Sequence, residues 1–220
     1  MFITWIVLFL QLFSVNLKDQ PRFKGGEKAL ISFLINNQIY PEYSKFNCIQ
    51  GTIYVQFKLN HQGKVYDSDV QKGLGVDLDD EALRLIRLSS GKWIVPADHD
   101  TTQAIVLPVN FSLKEYECEK RSRDDINQAI SAYRTRKNLT RAIVNFYQKK
   151  SAGEVIEGDE SKILELKAQL GYNEKFINQL LKQAQRKLKQ KDREGACEDL
   201  LFVRNLGSNS ADELITKYCR

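Results

Sequence analysis

Between Gly51 and Asn60 the chain alternates without a break. Ile53, Val55, Phe57 and Leu59 fall on one set of positions, and Thr52, Tyr54, Gln56 and Lys58 on the other. A period of two predicts a strand over 51–60 with one apolar and one polar face. Asn60-His61-Gln62-Gly63 follows as a polar turn with a glycine available for positive φ. A second strand is predicted over 64–71, with Val65 and Val70 as its apolar positions, and Gly73 and Gly75 break it. Asp77, Asp79 and Asp80 then precede EALRLIRL, acids placed where a helix N-terminus favours them. That helix ends by Ser89-Ser90-Gly91.

On either side of this block the pattern changes. Ala29, Leu30, Phe33 and Leu34 recur at helical spacing and predict a helix over 27–36, closed by Asn36-Asn37 and Pro41. Downstream, residues 103–113 alternate again through Leu107, Val109, Phe111 and Leu113. Pro108 interrupts that strand chemically, because proline has no N–H for a ladder. Inside a strand it is tolerated mainly at a sheet edge with its nitrogen outward, so 103–113 is predicted as an edge strand. The order helix–strand–strand–helix–strand predicts a small α+β domain over 21–118.

Beyond Cys118 the period is helical throughout. Helices are predicted over 124–150, 160–170, 173–191, 193–205 and 209–218, with 151–159 a glycine-containing loop. Several amphipathic helices joined by short polar turns predict helical hairpins packed side by side, an all-α module over 119–220.

Composition adds little to this picture and excludes little. The 220 residues are 42% hydrophobic and 28% charged, as in ordinary folded proteins. The net charge of +5 is uneven, −1 over residues 1–118 and +6 over the remainder. This agrees with a boundary near 118 and names no partner. The opening segment MFITWIVLFLQLFSV has no charge; its length suits a signal-peptide core and falls short of the roughly 20 residues a spanning helix needs. Residues 1–20 are therefore read as a cleaved signal, with an uncleaved membrane anchor or a buried helix as alternatives. Export makes Cys48, Cys118, Cys197 and Cys219 disulfide candidates with three pairings open. With no C-x-x-C pair and only His61 and His99, neither a metal site nor a cofactor is expected.

Taken in order, Tyr40-Pro41, Ile49-Gln50-Gly51, Val55-Gln56-Phe57, Gly63-Lys64-Val65, Asp79–Arg84, Trp93 and Leu107-Pro108-Val109-Asn110-Phe111 resemble the C-terminal domain of the TonB family of energy transducers, over about ninety residues from Gly25 to Leu113. The resemblance implies a three-stranded antiparallel sheet with two helices, a periplasmic or cell-envelope location, and a non-enzymatic, TonB-like role in transport. It implies binding of an extended peptide segment of an outer-membrane receptor by strand pairing at the edge of the final strand. Tyr40, Pro41, Leu107, Pro108, Val109 and Asn110 are the peptide-binding positions so implied. The family's long Pro-rich spacer has no counterpart between the apolar segment and the domain, where only Pro21 stands. The alternative is a periplasmic structural or assembly scaffold that keeps the fold without energy transduction.

The segment from Ala196 resembles a tetratricopeptide or Sel1-like unit through Ala196, Leu200, Leu206-Gly207 and Ala211. If 193–205 and 209–218 form an antiparallel pair, Cys197 and Cys219 lie at one end of it. If the first and last strands are antiparallel neighbours, as in the TonB family, Cys48 and Cys118 also meet. Asp98-His99-Asp100 is a general-base or metal pattern that reads better as a solvated turn, with no nucleophile motif beside it. The basic run 180–193 is read as the solvent face of an amphipathic helix with Leu180, Leu181, Ala184 and Leu188 inward, not as a nucleic-acid surface. The sequons at Asn110 and Asn138 are read as chance. Tyr54 and Tyr66 are read as ordinary strand aromatics, with a peptide groove as the sharper alternative.

Overall fold

The computed structural model describes residues 20–114, 116–154 and 160–219; the N-terminal apolar segment expected to serve as signal or anchor lies outside them. Three strands form one antiparallel sheet in the order β3-β2-β5: β2 (Gly51–Leu59) in the middle, β3 (Val65–Lys72) and β5 (Ile105–Phe111) at the edges. The alternation in β2 sets this arrangement. Ile53, Val55, Phe57 and Leu59 are fully buried, while Tyr54 stays 37% exposed on the opposite face.

Two helices cover the apolar face. In α3 (Asp77–Leu88), Leu78, Ala82, Leu85 and Ile86 are fully buried, a spacing of four, three and one that makes one helical stripe. The acids ahead of it divide their work. Asp79 accepts from the N–H groups of Leu74 (2.9 Å) and Gly75 (2.8 Å), tying down the preceding loop, and Asp77 takes the Ser44 hydroxyl. The second helix, α1 (Gly26–Asn37), packs Ala29, Leu30, Phe33 and Leu34 on the same core.

Three short elements carry no legible period. A one-turn helix α2 (Glu42–Phe46) follows Pro41, and a two-residue strand β1 (Arg22–Phe23) pairs with β4 (Trp93–Ile94). The small pairing is held by rings: Phe23 lies edge-on to Trp93 at 5.4 Å, and Phe57 is tilted against Trp93 at the same distance. The turn glycine Gly63, at φ +73°, packs so closely beneath β4 that a Cβ there would sit 2.3 Å from the Trp93 carbonyl oxygen. Any side chain at this position would push the hairpin off the domain.

The all-α part comprises α4 (Arg123–Ser151), α5 (Glu160–Gln169), α6 (Glu174–Lys189), α7 (Arg193–Asn205) and α8 (Asp212–Tyr218). Ser122 and Asp125 close a capping box at the start of α4. This 29-residue helix belongs to both cores. Ile126, Ala129, Ile130 and Tyr133 pack on the sheet domain, whereas Ile143 and Tyr147 pack in the core of the helical part. In α6, Ala184 is fully buried and Leu180, Leu181 and Leu188 pack partly buried on the same core, leaving the lysines and arginines of 180–193 largely outside.

The two parts are joined by polar contacts as well. The Tyr43 hydroxyl donates to the Ala129 carbonyl (2.7 Å), and Arg134 donates to the Leu74 carbonyl (2.7 Å). Arg87 of α3 has a side chain only 7% exposed, and α7 supplies its carboxylates: both oxygens of Glu198 (2.8 and 2.9 Å) and Glu194 at 3.2 Å. Its Nε donates to Ser68 of β3, whose hydroxyl in turn donates to Glu194.

Both cysteine pairs are bonded, Cys48 to Cys118 across a separation of 70 residues and Cys197 to Cys219 across 22. The first ties the entrance of β2 to the chain leaving β5, which the β2–β5 pairing brings together. The second ties the start of α7 to the end of α8.

Two predictions follow from these closures. Loop entropy assigns about 4 kcal/mol to the longer cross-link and about 3 kcal/mol to the shorter. Replacing each pair by serine should lower the urea midpoint more for Cys48/Cys118 than for Cys197/Cys219. Arg87→Met leaves three partners without their cation; because the carboxylates are half exposed, the expected loss is about 2 kcal/mol rather than the larger cost of a fully buried pair. Hydrogen exchange should show α7 amides losing protection before those of β2.

Candidate strand-pairing edge

A sheet of three strands has two edges, and here they differ in kind. The β3 edge is blunted. Its register with β2 shifts between Tyr54 and Val55 and again between Gln56 and Lys58, and Asp67 takes a left-handed conformation at φ 51°. Charged Asp67, Asp69 and Lys72 lie along it, Lys58 pairs with Asp67 at 2.5 Å, and Ser68 is held by Arg87 and Glu194. Bulges and charges of this kind oppose the addition of a further strand.

The β5 edge is regular. Its register with β2 runs unbroken from Gly51 opposite Phe111 to Phe57 opposite Ile105, and the strand IVLPVNF carries no charge. Among the described residues β5 is paired to β2 alone. In an antiparallel strand the N–H and C=O of one residue point to the same side, and those of the next residue to the other. Two contacts assign the sides. The Asn110 carbonyl accepts from the Gln38 side chain (3.0 Å), so Asn110 faces away from β2, as do Pro108 and Val106 by parity. The Leu113 N–H, of opposite parity, donates to the Gln50 side chain, just ahead of β2. Pro108 therefore stands where its missing N–H costs the sheet nothing. The open edge offers the N–H and C=O of Val106, the C=O of Pro108 and the N–H of Asn110.

This parity sorts the six positions that the resemblance implied. Pro108 and Asn110 face the edge. Leu107 and Val109 turn their backbone groups to β2 and their side chains to the core, where Val109 is 1% exposed. Tyr40 is half-buried: its hydroxyl donates to the Ile49 carbonyl (2.6 Å) and its ring lies edge-on to Phe111 at 5.9 Å. Pro41 precedes α2 and shapes the turn there. Tyr40 thus packs against the end of β5 through Phe111, and Pro41 opens α2. Val106 was missed by pattern reading, although its parity with Pro108 was available as a signal.

The remaining chemical candidates do not assemble. The His99 ring is turned inward, 7% exposed, with Nε2 lacking a hydrogen-bond partner, while Asp98 and Asp100 are exposed and Asp100 accepts from Thr102 instead. Tyr66 donates to the Thr101 carbonyl and Lys72 lies over the Tyr54 ring at 5.9 Å, so both tyrosines are engaged within the sheet surface. No cluster of His, Cys, Asp and Glu among the described residues is arranged to hold a metal ion.

The sheet domain is thus an antiparallel α+β fold with one blunted and one open edge. Residues 36–113 match the family model described as Gram-negative bacterial TonB protein C-terminal. Among solved structures, the NMR solution structure of Helicobacter pylori TonB-CTD (residues 194–285) is 26% identical. That match covers 40% of this chain and 94% of that one, with a TM-score of 0.34. No curated protein matches. The family match ends at Leu113 and does not reach the helical part, whose expected tetratricopeptide-like unit no comparison supports.

Burial, with the Asp77 carboxylate nearby, pushes the Tyr40 phenol up to about 12 from its ordinary value of 10. The unfolded chain ionises this group first, so its contribution to stability falls as pH rises from 10 towards 12. Denaturation midpoints measured between pH 9 and 11.5 should decline less steeply in Tyr40→Phe than in the parent protein.

Proposed function

We propose that this protein is a non-enzymatic component of the bacterial cell envelope. Its sheet domain, read as 21–118, binds an extended segment of an outer-membrane TonB-dependent receptor by adding it as a fourth strand along β5. The observation that carries the reading is the open, regular and uncharged β5 edge, whose only proline points its nitrogen outward. Backbone hydrogen bonds supply most of the affinity in such pairing, and alternate side chains supply selectivity. The match of residues 36–113 to the TonB C-terminal family supports receptor binding and a periplasmic location, and the two disulfides agree with an oxidising compartment.

The alternative, a scaffold that retains the fold with its edge covered, would be favoured by the helical part lying over β5. Instead Arg87, Ser68, Glu194 and Glu198 dock α7 against α3 and β3, on the opposite edge. We read residues 119–220 as a helical-hairpin module, tetratricopeptide-like in its small buried Ala196 and Ala211, that closes the β3 side and leaves β5 available.

Fluorescence anisotropy with receptor N-terminal peptides tests this. Val106→Pro removes an outward N–H, and with it a strand-pairing hydrogen bond, while leaving the bonds to β2 untouched; affinity should fall about tenfold or more. Unchanged binding in that variant would place the peptide elsewhere.

A further inference from the structure

Tyr133, Arg136, Lys137 and Thr140 share one face of α4, at successive spacings of three, one and three. They occupy the middle of that helix. Ile126, Ala129 and Ile130 before them pack on the sheet domain, and Ile143 after them lies in the core of the helical part. Together with Tyr172, from the turn between α5 and α6, and Phe202 of α7, they line a cavity of about 290 Å³. That is the space of about ten water molecules, enough for one ring with a short head group.

The walls are aromatic and braced from behind. The Tyr133 ring is tilted against Tyr43 with centroids 5.0 Å apart. Tyr172 packs on Phe176 at 4.8 Å and lies edge-on to Phe202 at 5.9 Å, and its hydroxyl is 2.6 Å from that of Thr140. Tyr133, Tyr172 and Phe202 all stay half-buried. A packed interior closes such space by interdigitation. Three braced rings around an unfilled volume instead leave apolar area that an inserted ring would cover.

The rim is cationic. Arg136 lies over the Tyr172 ring, 5.7 Å from its centroid, and donates to the Leu170 carbonyl (2.6 Å). The guanidinium is thus fixed in place with N–H groups to spare. Lys137 stands beside it, and both side chains are exposed. Among the described residues neither forms an ion pair with a carboxylate. Asp80 of α3 is near enough for its charge to act on Lys137 and on Tyr133, and is the opposing field that a bound anion would meet. Burial, with Asp80 nearby, pushes the Tyr133 phenol up, so it remains a protonated donor at neutral pH. Guanidinium and ammonium groups accept no hydrogen bonds, so the charged capacity left at the rim is donor only. Its complement is an anionic acceptor.

We propose that this cavity binds a small aromatic carboxylate, with its ring between Tyr133, Tyr172 and Phe202 and its carboxylate on Arg136 and Lys137. A planar guanidinium can hold a carboxylate through two parallel N–H groups, and the apolar walls beside it strengthen that pairing. Such a ligand touches α4, α7 and the turn before α6 at once, so its binding also stabilises the helical part. The site stands apart from the β5 edge and does not depend on a peptide binding there.

The test uses the full-length oxidised protein with hydrocinnamate as probe in isothermal titration calorimetry. A dissociation constant on the order of 0.1 mM is expected for a ligand of this size. Hydrocinnamamide, the neutral isostere, should bind about tenfold more weakly, and propionate, which lacks the ring, should give no detectable heat. Arg136→Gln and Lys137→Gln, both at exposed positions, should each weaken the acid about tenfold and leave the amide unchanged, with unfolding temperatures of the free proteins preserved. Asp80→Asn removes the opposing charge and should tighten the acid alone. Equal binding of acid and amide, or an acid affinity that neither cation substitution changes, would overturn the assignment of the rim. Absence of binding at about 10 mM hydrocinnamate, a hundredfold above the expected constant, would overturn the site. If a peptide ending in phenylalanine binds and the free acid does not, the occupant is a polypeptide C-terminus and the assignment to a small molecule fails.

Discussion

The pairing of β2 with β5 is the interaction on which the rest depends. It brings residues 48 to 60 positions apart into an unbroken register and places Val109 and Phe111 beside Ile53 and Val55 in one core. It sets Cys48 and Cys118 at one end of the sheet, so the disulfide closes a loop that the hydrogen bonds have already drawn together. It also determines the parity of β5. With odd-numbered residues committed to β2, every even-numbered backbone group from Val106 to Asn110 must look outward. The function proposed for the protein is a consequence of that parity.

The helical part changes what the sheet can do without touching the edge it leaves open. Arg87 on α3 sits almost wholly buried and takes its charge partners from α7, so the two parts share one electrostatic contact as well as the length of α4. The same contact engages Ser68 in the strand with irregular register. A three-stranded sheet on its own would have two edges to protect. Here bulges, charges and a docked helix deal with one, and the other carries Pro108 with its nitrogen turned outward.

Much of the scaffold was legible along the chain. Period-two alternation located β2 and β5, helical spacing located α1, α3 and the all-α part, and Pro108 marked its strand as an edge. Gly63 was assigned to a turn on chemistry alone. What the pattern missed has a common cause. The β1–β4 pairing and α2 are too short to show any period, and rings that meet across the fold hold the former. Tyr40, implied at the binding surface by resemblance, is half-buried, with its hydroxyl on the Ile49 carbonyl and its ring against Phe111. A half-buried tyrosine and a surface tyrosine look identical in a sequence.

For this protein the local code determined which segments are strands and helices, which faces are apolar, and which strand cannot sit in the middle of a sheet. These are properties of residues within a few positions of one another, and alternation or a missing N–H is enough to express them. Tertiary structure alone decided which backbone groups of β5 are free, where α7 docks, and that α1 covers the core through Ala29, Leu30, Phe33 and Leu34. Those depend on register, crossing direction and helix rotation. Each is set by the sum of many distant contacts, and no short stretch of the chain records that sum.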